Sequence, residues 1–169
     1  LGELVALPHF YGVGALERLE GEITIIDSHP YVSIVSESGT PKSVYKQSSD
    51  LQATLLVGSV VLEWTSSDVP ASLSGKALEN WIQSQAERVG IDTSQPFPFM
   101  IEGGLSDLRF HIINGACPVH AKRHNKPLPT ERTPFEQVLE SVDGQVLGIF
   151  ARDAAGKLTH PGTSVHAHL

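Results

Sequence analysis

Residues 19–38 read LEGEITIIDSHPYVSIVSES. Two runs rich in β-branched residues flank a turn-forming set from Asp27 to Pro30, which predicts a β-hairpin. Side chains alternate along a strand, so Glu22 faces away from Ile23 and Ile25. Beyond the hairpin, Gly39, Thr40 and Pro41 end the pattern. Residues 51–64, LQATLLVGSVVLEW, read as one nearly continuous buried strand or as two short ones hinged at Gly58. Residues 66–74 are turn and loop material.

Leu78, Trp81, Ile82, Ala86 and Val89 then recur at helical spacing, with Lys76, Glu79, Gln83, Glu87 and Arg88 mainly on the other side. The spacing predicts a helix over about residues 76–89, stopped by Gly90, with its apolar stripe packed in the core. Phe99 to Ile113 carries Gly103-Gly104 and predicts strand, tight bend, strand. In its second half Arg109 and His111 share a face opposite Leu108, Phe110 and Ile112. Residues 115–134 contain four prolines and read as a long ordered loop. Residues 135–141 and 145–151 flank Asp143-Gly144, a hairpin signal. The sum is an α+β fold, mostly β: a mixed or antiparallel sheet with one principal helix, plus a small barrel-like β subdomain. Residues 1–98 form a β region with that helix and residues 99–169 a C-terminal β region, or the two make one integrated unit.

The 169 residues suit one domain or two small ones, and 40% hydrophobic against 18% charged residues is the composition of a chain with a real core. A net charge of −7 argues against nucleic acid or an anionic membrane as partner, since both attract clustered cations. The longest basic cluster is Lys122, Arg123, His124 and Lys126. No apolar run approaches the roughly 20 residues that span a bilayer, so a soluble chain is expected. Position 1 is Leu1 rather than methionine, which leaves room for a removed leader and keeps the compartment open. The single cysteine, Cys117, excludes an intrachain disulfide framework and a zinc ribbon, and reads as structural.

His166-Ala167-His168 is the sharpest chemical feature. On an extended segment both imidazoles share a face and can reach one ion, although a divalent metal normally wants a third ligand. The pair reads as metal ligands or as surface histidines. Glu22, inside an otherwise apolar strand, reads as a solvent-facing carboxylate or as a general acid–base raised by partial burial. Arg109 and His111 make a cationic pair suited to a carboxylate, or an exposed polar face. His9, His29, His120 and His124 fall in loops and carry little individually. No nucleophile elbow, Walker loop or dinucleotide fingerprint is present.

Taken in order, a series of segments resembles the bacterial α-acetolactate decarboxylase family. Glu3-Leu4-Val5 with Tyr11-Gly12-Val13-Gly14-Ala15-Leu16 is similar to the family's opening, and Leu19-Glu20-Gly21-Glu22 to its L-D-G-E motif. The helix with Phe97 to Gly103, then Glu140 to Phe150, then Pro161-Gly162 with His166-Ala167-His168, follow in the family's order. The resemblance implies a carbon–carbon lyase that converts 2-acetolactate to acetoin and carbon dioxide, a metal stabilising the enediolate. It implies zinc or another divalent metal on His166 and His168, Glu22 as proton carrier, and Arg109 or His111 on the carboxylate of a small 2-hydroxy-3-oxo acid. It also implies a homodimer joined through sheet edges.

The chain departs from the family at Ala15, which stands where the family has threonine, and at His111, which falls where its catalytic arginine does. The family's third zinc histidine and second catalytic glutamate lie beyond the His-x-His strand. Glu22, His111 or a residue beyond Leu169 is then the candidate third donor. A decarboxylase-like β domain that binds metal without turnover is the main alternative. A cupin-like barrel also uses His-x-His, but with a different spacing.

Overall fold

The computed structural model describes residues 2–46 and 51–169, apart from the side chains of Leu4, Val5 and His120. After a short helix α1 (Gly2–Val5) come five strands: β1 (Phe10–Leu16), β2 (Glu22–Ile26), β3 (His29–Val35), β4 (Pro41–Tyr45) and β5 (Ala53–Val60). They form one antiparallel sheet in the order β4-β3-β2-β1-β5. The predicted hairpin is β2 and β3, turning on Asp27 and Ser28. Both lie in the left-handed region (φ 47° and 68°), the backbone that a two-residue hairpin turn requires. Helix α2 (Gly75–Arg88) follows, then β6 (Phe97–Ile112), a short helix α3 (Pro118–Arg123), β7 (Phe135–Phe150) and β8 (Val165–His168). The last three strands form a second antiparallel sheet, β6-β7-β8.

Alternation along these strands sorts the core into layers. Phe97, Phe99, Ile101, Phe150 and Val165 share one face of the second sheet and pack on Leu78, Trp81, Ile82 and Ala86 of α2. Leu147 and Ile149 share the other face and meet Val13 of the first sheet in a nearly water-free cluster with Ala151. Ile23 and Ile25, with no exposed surface, pack with Phe10 on the far face of the first sheet. The mostly β architecture with one principal helix agrees with the sequence, and α2 matches the predicted span to a residue at each end. Among the described residues, no helix is long and apolar enough to cross a membrane.

Several local expectations are corrected. Asp143-Gly144 is not a hairpin turn: β7 runs through it as one 16-residue strand. Gly103-Gly104 is not a bend either, because β6 is also continuous over 16 residues. The two breaks lie opposite each other, Gly103 on Gly144 and Gly104 on Asp143, so a long ladder overrides the local turn preference. Gly58 is not a hinge. It sits in β5 opposite Gly12, where an added Cβ would collide with the Tyr11 carbonyl oxygen. Strand β5 is an edge strand, partly exposed rather than buried. The 115–134 segment holds α3 and a 3-10 turn at Thr130–Arg132 in place of a continuous loop. Val89 caps α2 and is 42% exposed, outside the core stripe, whereas Glu79, assigned to the polar side, is buried.

Candidate metal centre

Glu22 projects from β2 on the face opposite Ile23 and Ile25, and β1 places Ala15 directly across from it. Strand β8 pairs with β7 so that His166 lies opposite Ile149 and His168 opposite Leu147, on the face turned to the first sheet. The two sheets thereby bring three donors together across a sequence separation of more than 140 residues. His166 and His168 stand Nε2 to Nε2 at 3.2 Å, and Glu22 Oε2 is 3.6 Å from His168 Nε2. Among the described residues, Glu22, His166 and His168 form a group whose ligand atoms all lie within 4.8 Å of one another. Only 13% of the Glu22 side chain and 10% of the His168 side chain are exposed.

The hydrogen bonds around the imidazoles fit a cation. His166 Nδ1 is 3.2 Å from the Leu158 carbonyl oxygen, which only accepts, so Nδ1 carries the proton and Nε2 keeps its lone pair. His168 Nδ1 is 3.0 Å from Thr24 Oγ1, a hydroxyl that donates or accepts by rotating. With Thr24 donating, His168 gives its Nε2 proton to His166. With Thr24 accepting from Nδ1, both Nε2 lone pairs are free for an ion. At Zn–N bonds of about 2.0–2.1 Å, two nitrogens on a tetrahedron stand about 3.3 Å apart, close to the separation found.

Burial sets the charges. It pushes the Glu22 carboxyl up to about 7, against the lowering effects of the Ile113 N–H, 3.4 Å from Oε1, and of His160. Burial, with neighbouring imidazoles adding to it, pushes His166 down to about 4 and His168 to about 3. Both histidines are therefore neutral at pH 7, the form that binds metal.

The group opens on a cavity of about 1330 Å³. Arg109 and His111 both line it, with Glu22, Ala15 and Leu55 from the first sheet and Arg123 and Lys126 at α3 and beyond. Phe110 lines it as well. Simple alternation therefore does not divide residues 108–113 into cavity and outer faces, and Asp107 (φ 51°) breaks the regular pleat just before them. His111 is half-buried, with its pKa lowered by burial and then by His160. Arg109 is exposed and makes no ion pair among the described residues. Cys117 is a half-buried part of the cavity wall. His9, bonded to Asp27, His29, beside Tyr45, and the exposed His124 stand outside the lining.

Sequence reasoning missed three contributors. Thr24 shares the Glu22 face by simple alternation, so it was within reach of a strand argument. His160 sits in the cavity wall with its ring centroid 5.8 Å from His111 and 5.8 Å from His166. Its only local signal is a histidine ahead of Pro161-Gly162, just upstream of the His-x-His pair. Glu79 grips the residues that launch β8, and nothing in the helical pattern marks it.

No protein-family model and no curated protein sequence matches the chain. Solved structures that share its fold include the following two. One is a protein of unknown function from Staphylococcus aureus, similar to alpha-acetolactate decarboxylase, with TM-score 0.68 and 13% identity over 98% of this chain and 65% of that one. The other is alpha-acetolactate decarboxylase from Bacillus subtilis strain 168, with TM-score 0.65 and 16% identity over 98% of this chain and 64% of that one. The chain thus spans about 65% of the length of these two structures. At these identities the likeness is one of fold.

Proposed function

We propose that the chain is a metal-dependent carbon–carbon lyase of the acetolactate decarboxylase type, acting on a small 2-hydroxy-3-oxo acid. The observation that carries this is the convergence of Glu22, His166 and His168 inside a cavity, on a fold like that of acetolactate decarboxylase. A divalent metal bound there, zinc in the first instance, would supply Lewis-acid stabilisation of the charge left when carbon dioxide departs. His166 and His168 would hold the ion through Nε2, with Leu158 and Thr24 orienting the rings. His111, with Arg109 at the outer wall, receives the substrate carboxylate. Glu22, protonated part of the time near neutrality, carries the proton that replaces carbon dioxide, and the Ile113 N–H orients its Oε1.

Metal analysis of the purified protein, with an acetoin assay with and without added zinc, tests this. Stoichiometric zinc with acetoin formation is expected, and alanine at both His166 and His168 abolishes both. Glu22→Gln separates the two duties of that residue: loss of zinc marks it as the third ligand, while retained zinc without turnover marks it as the proton carrier. One observation favours a second function, metal binding without catalysis: Arg109, the guanidinium of β6, is exposed, and half-buried His111 is a weaker partner for a carboxylate. Zinc without acetoin would establish that alternative. Light scattering on the same samples tests association as a homodimer.

A further inference from the structure

His111, His160, His166 and His168 form a row of imidazoles along one wall of the cavity, with successive ring centroids 5.8, 5.8 and 5.0 Å apart. The row divides by what its nitrogens do. In the inner pair every ring nitrogen has a partner: His166 uses the Leu158 carbonyl and His168, and His168 uses Thr24 and His166. In the outer pair neither ring makes a hydrogen bond to another described residue, although both are half-buried in the cavity wall. Half-buried polar groups that face a cavity without protein partners are available to whatever the cavity binds.

We propose that His111 and His160 together clasp the carboxylate of the ligand, so that His160 makes the site prefer an acid to its neutral analogue. The clasp builds on the decarboxylase function proposed above and adds a residue from outside the β6 strand. A carboxylate only accepts, and each neutral imidazole has one N–H to give, so two rings standing side by side can each donate to one oxygen of the same carboxylate. The tilt of 43° and the 5.8 Å centroid separation leave His111 and His160 beside each other without a hydrogen bond between them. Arg109 is the stronger donor but is exposed, so it enters such a bond less well placed.

His160 is also held where a ligand needs it. The Thr163 N–H donates to the His160 carbonyl at 3.2 Å, and Thr159 Oγ1 donates to the Thr163 carbonyl at 2.6 Å, which closes the 159–163 turn. Glu79 grips that turn from below through Thr163 Oγ1 and the Ser164 N–H. A donor on a pinned turn loses little freedom on binding, which favours recognition.

The test measures binding to the full chain, with and without zinc, by calorimetry with two probes. 2-Hydroxy-2-methylpropanoate carries the hydroxyl and the carboxylate, whereas acetoin carries the hydroxyl and the ketone but no carboxylate. His160→Leu should weaken the carboxylate probe by about tenfold or more, the effect of losing a hydrogen bond to a charged group, and change acetoin binding by less than about twofold. His160→Gln, which retains an N–H donor, should recover part of the loss, and zinc content should stay at the wild-type level. In histidine-labelled protein, the ring nitrogens of His111 and His160 should shift when the carboxylate probe is added. Equal losses for the two probes, unchanged affinity in His160→Leu, or a wild type that binds neither probe overturns the clasp. A wild type that forms no acetoin yet binds the carboxylate through His160 overturns the decarboxylase and leaves the clasp standing.

Discussion

Glu79 of α2 accepts a hydrogen bond from Thr163 Oγ1 at 2.5 Å, across 84 residues of sequence. Its other oxygen takes the Ser164 N–H at 3.3 Å and Lys76 Nζ at 2.9 Å. Burial pushes this carboxyl up, but the bonds from Thr163, Lys76 and Ser164 together outweigh it and hold the group below the ordinary glutamate range. The principal helix is thus tied to the turn from which the His-x-His strand starts.

Replacing Glu79 by alanine leaves the Ser164 N–H and the Thr163 hydroxyl without their acceptor in a buried place. The expected loss is about 1–3 kcal/mol of unfolding free energy, with a smaller loss for Glu79→Gln. Because Thr163 and Ser164 position β8, zinc affinity should fall as well. Denaturant unfolding alongside a chelator competition measures both, and a variant with unchanged values would remove the clamp from this picture.

Zinc affinity should depend on pH mainly through Glu22 if that residue is the third ligand. His166 and His168, at about 4 and about 3, are already neutral at pH 5.5, while Glu22, at about 7, still holds its proton. Affinity should rise by about tenfold per pH unit up to 7 and level off above it, one proton being released per ion bound. In Glu22→Gln the slope should vanish; a slope that survives there points to another ligand.

The metal-free protein should be most stable near pH 6.5. Between about 4 and 6.5, unfolded histidines bind protons that native His166 and His168 do not, so stability rises with pH. Glu22 acts in the opposite sense. Its native pKa of about 7 exceeds its unfolded value of 4.5, so its contribution is present at low pH and is lost as pH rises from 4.5 through 7. Two histidines outweigh one glutamate on the acid side. Thermal melts across pH 4–8 should show this, and Glu22→Gln should melt higher than wild type at pH 8.

Gly14→Ala should cost more than Gly39→Ala. At Gly14 a Cβ would collide with the Leu55 carbonyl oxygen and crowd Leu56 Cα, so β1 and β5 would have to move apart, a cost of about 1–3 kcal/mol. Gly39 has open space around it, and its φ of +78° limits the cost there to about 1 kcal/mol. Urea unfolding of the two variants gives the order directly.

The sequence alone determined what depends on near neighbours. The alternation of Ile23 and Ile25 against Glu22 decided the faces of β2, and Asp27, which tolerates the left-handed backbone better than most residues, marked the turn. The 3.6-residue period of Leu78, Ile82 and Ala86 located α2, and His166 and His168 had to share a face of any strand that held them. Tertiary structure alone decided the rest. Gly103-Gly104 and Asp143-Gly144 carry turn propensity, but each pair lies opposite the other, and the interstrand hydrogen bonds of a 16-residue ladder exceed what either turn could offer. Thr24 reached His168, Glu22 joined the histidine pair, and Glu79 met Thr163 through contacts spanning 84 to 146 residues. No local period encodes such pairings. They exist because two sheets bury a shared apolar face around Val13, Leu147 and Ile149, and that burial brings the polar groups beside it into one cavity.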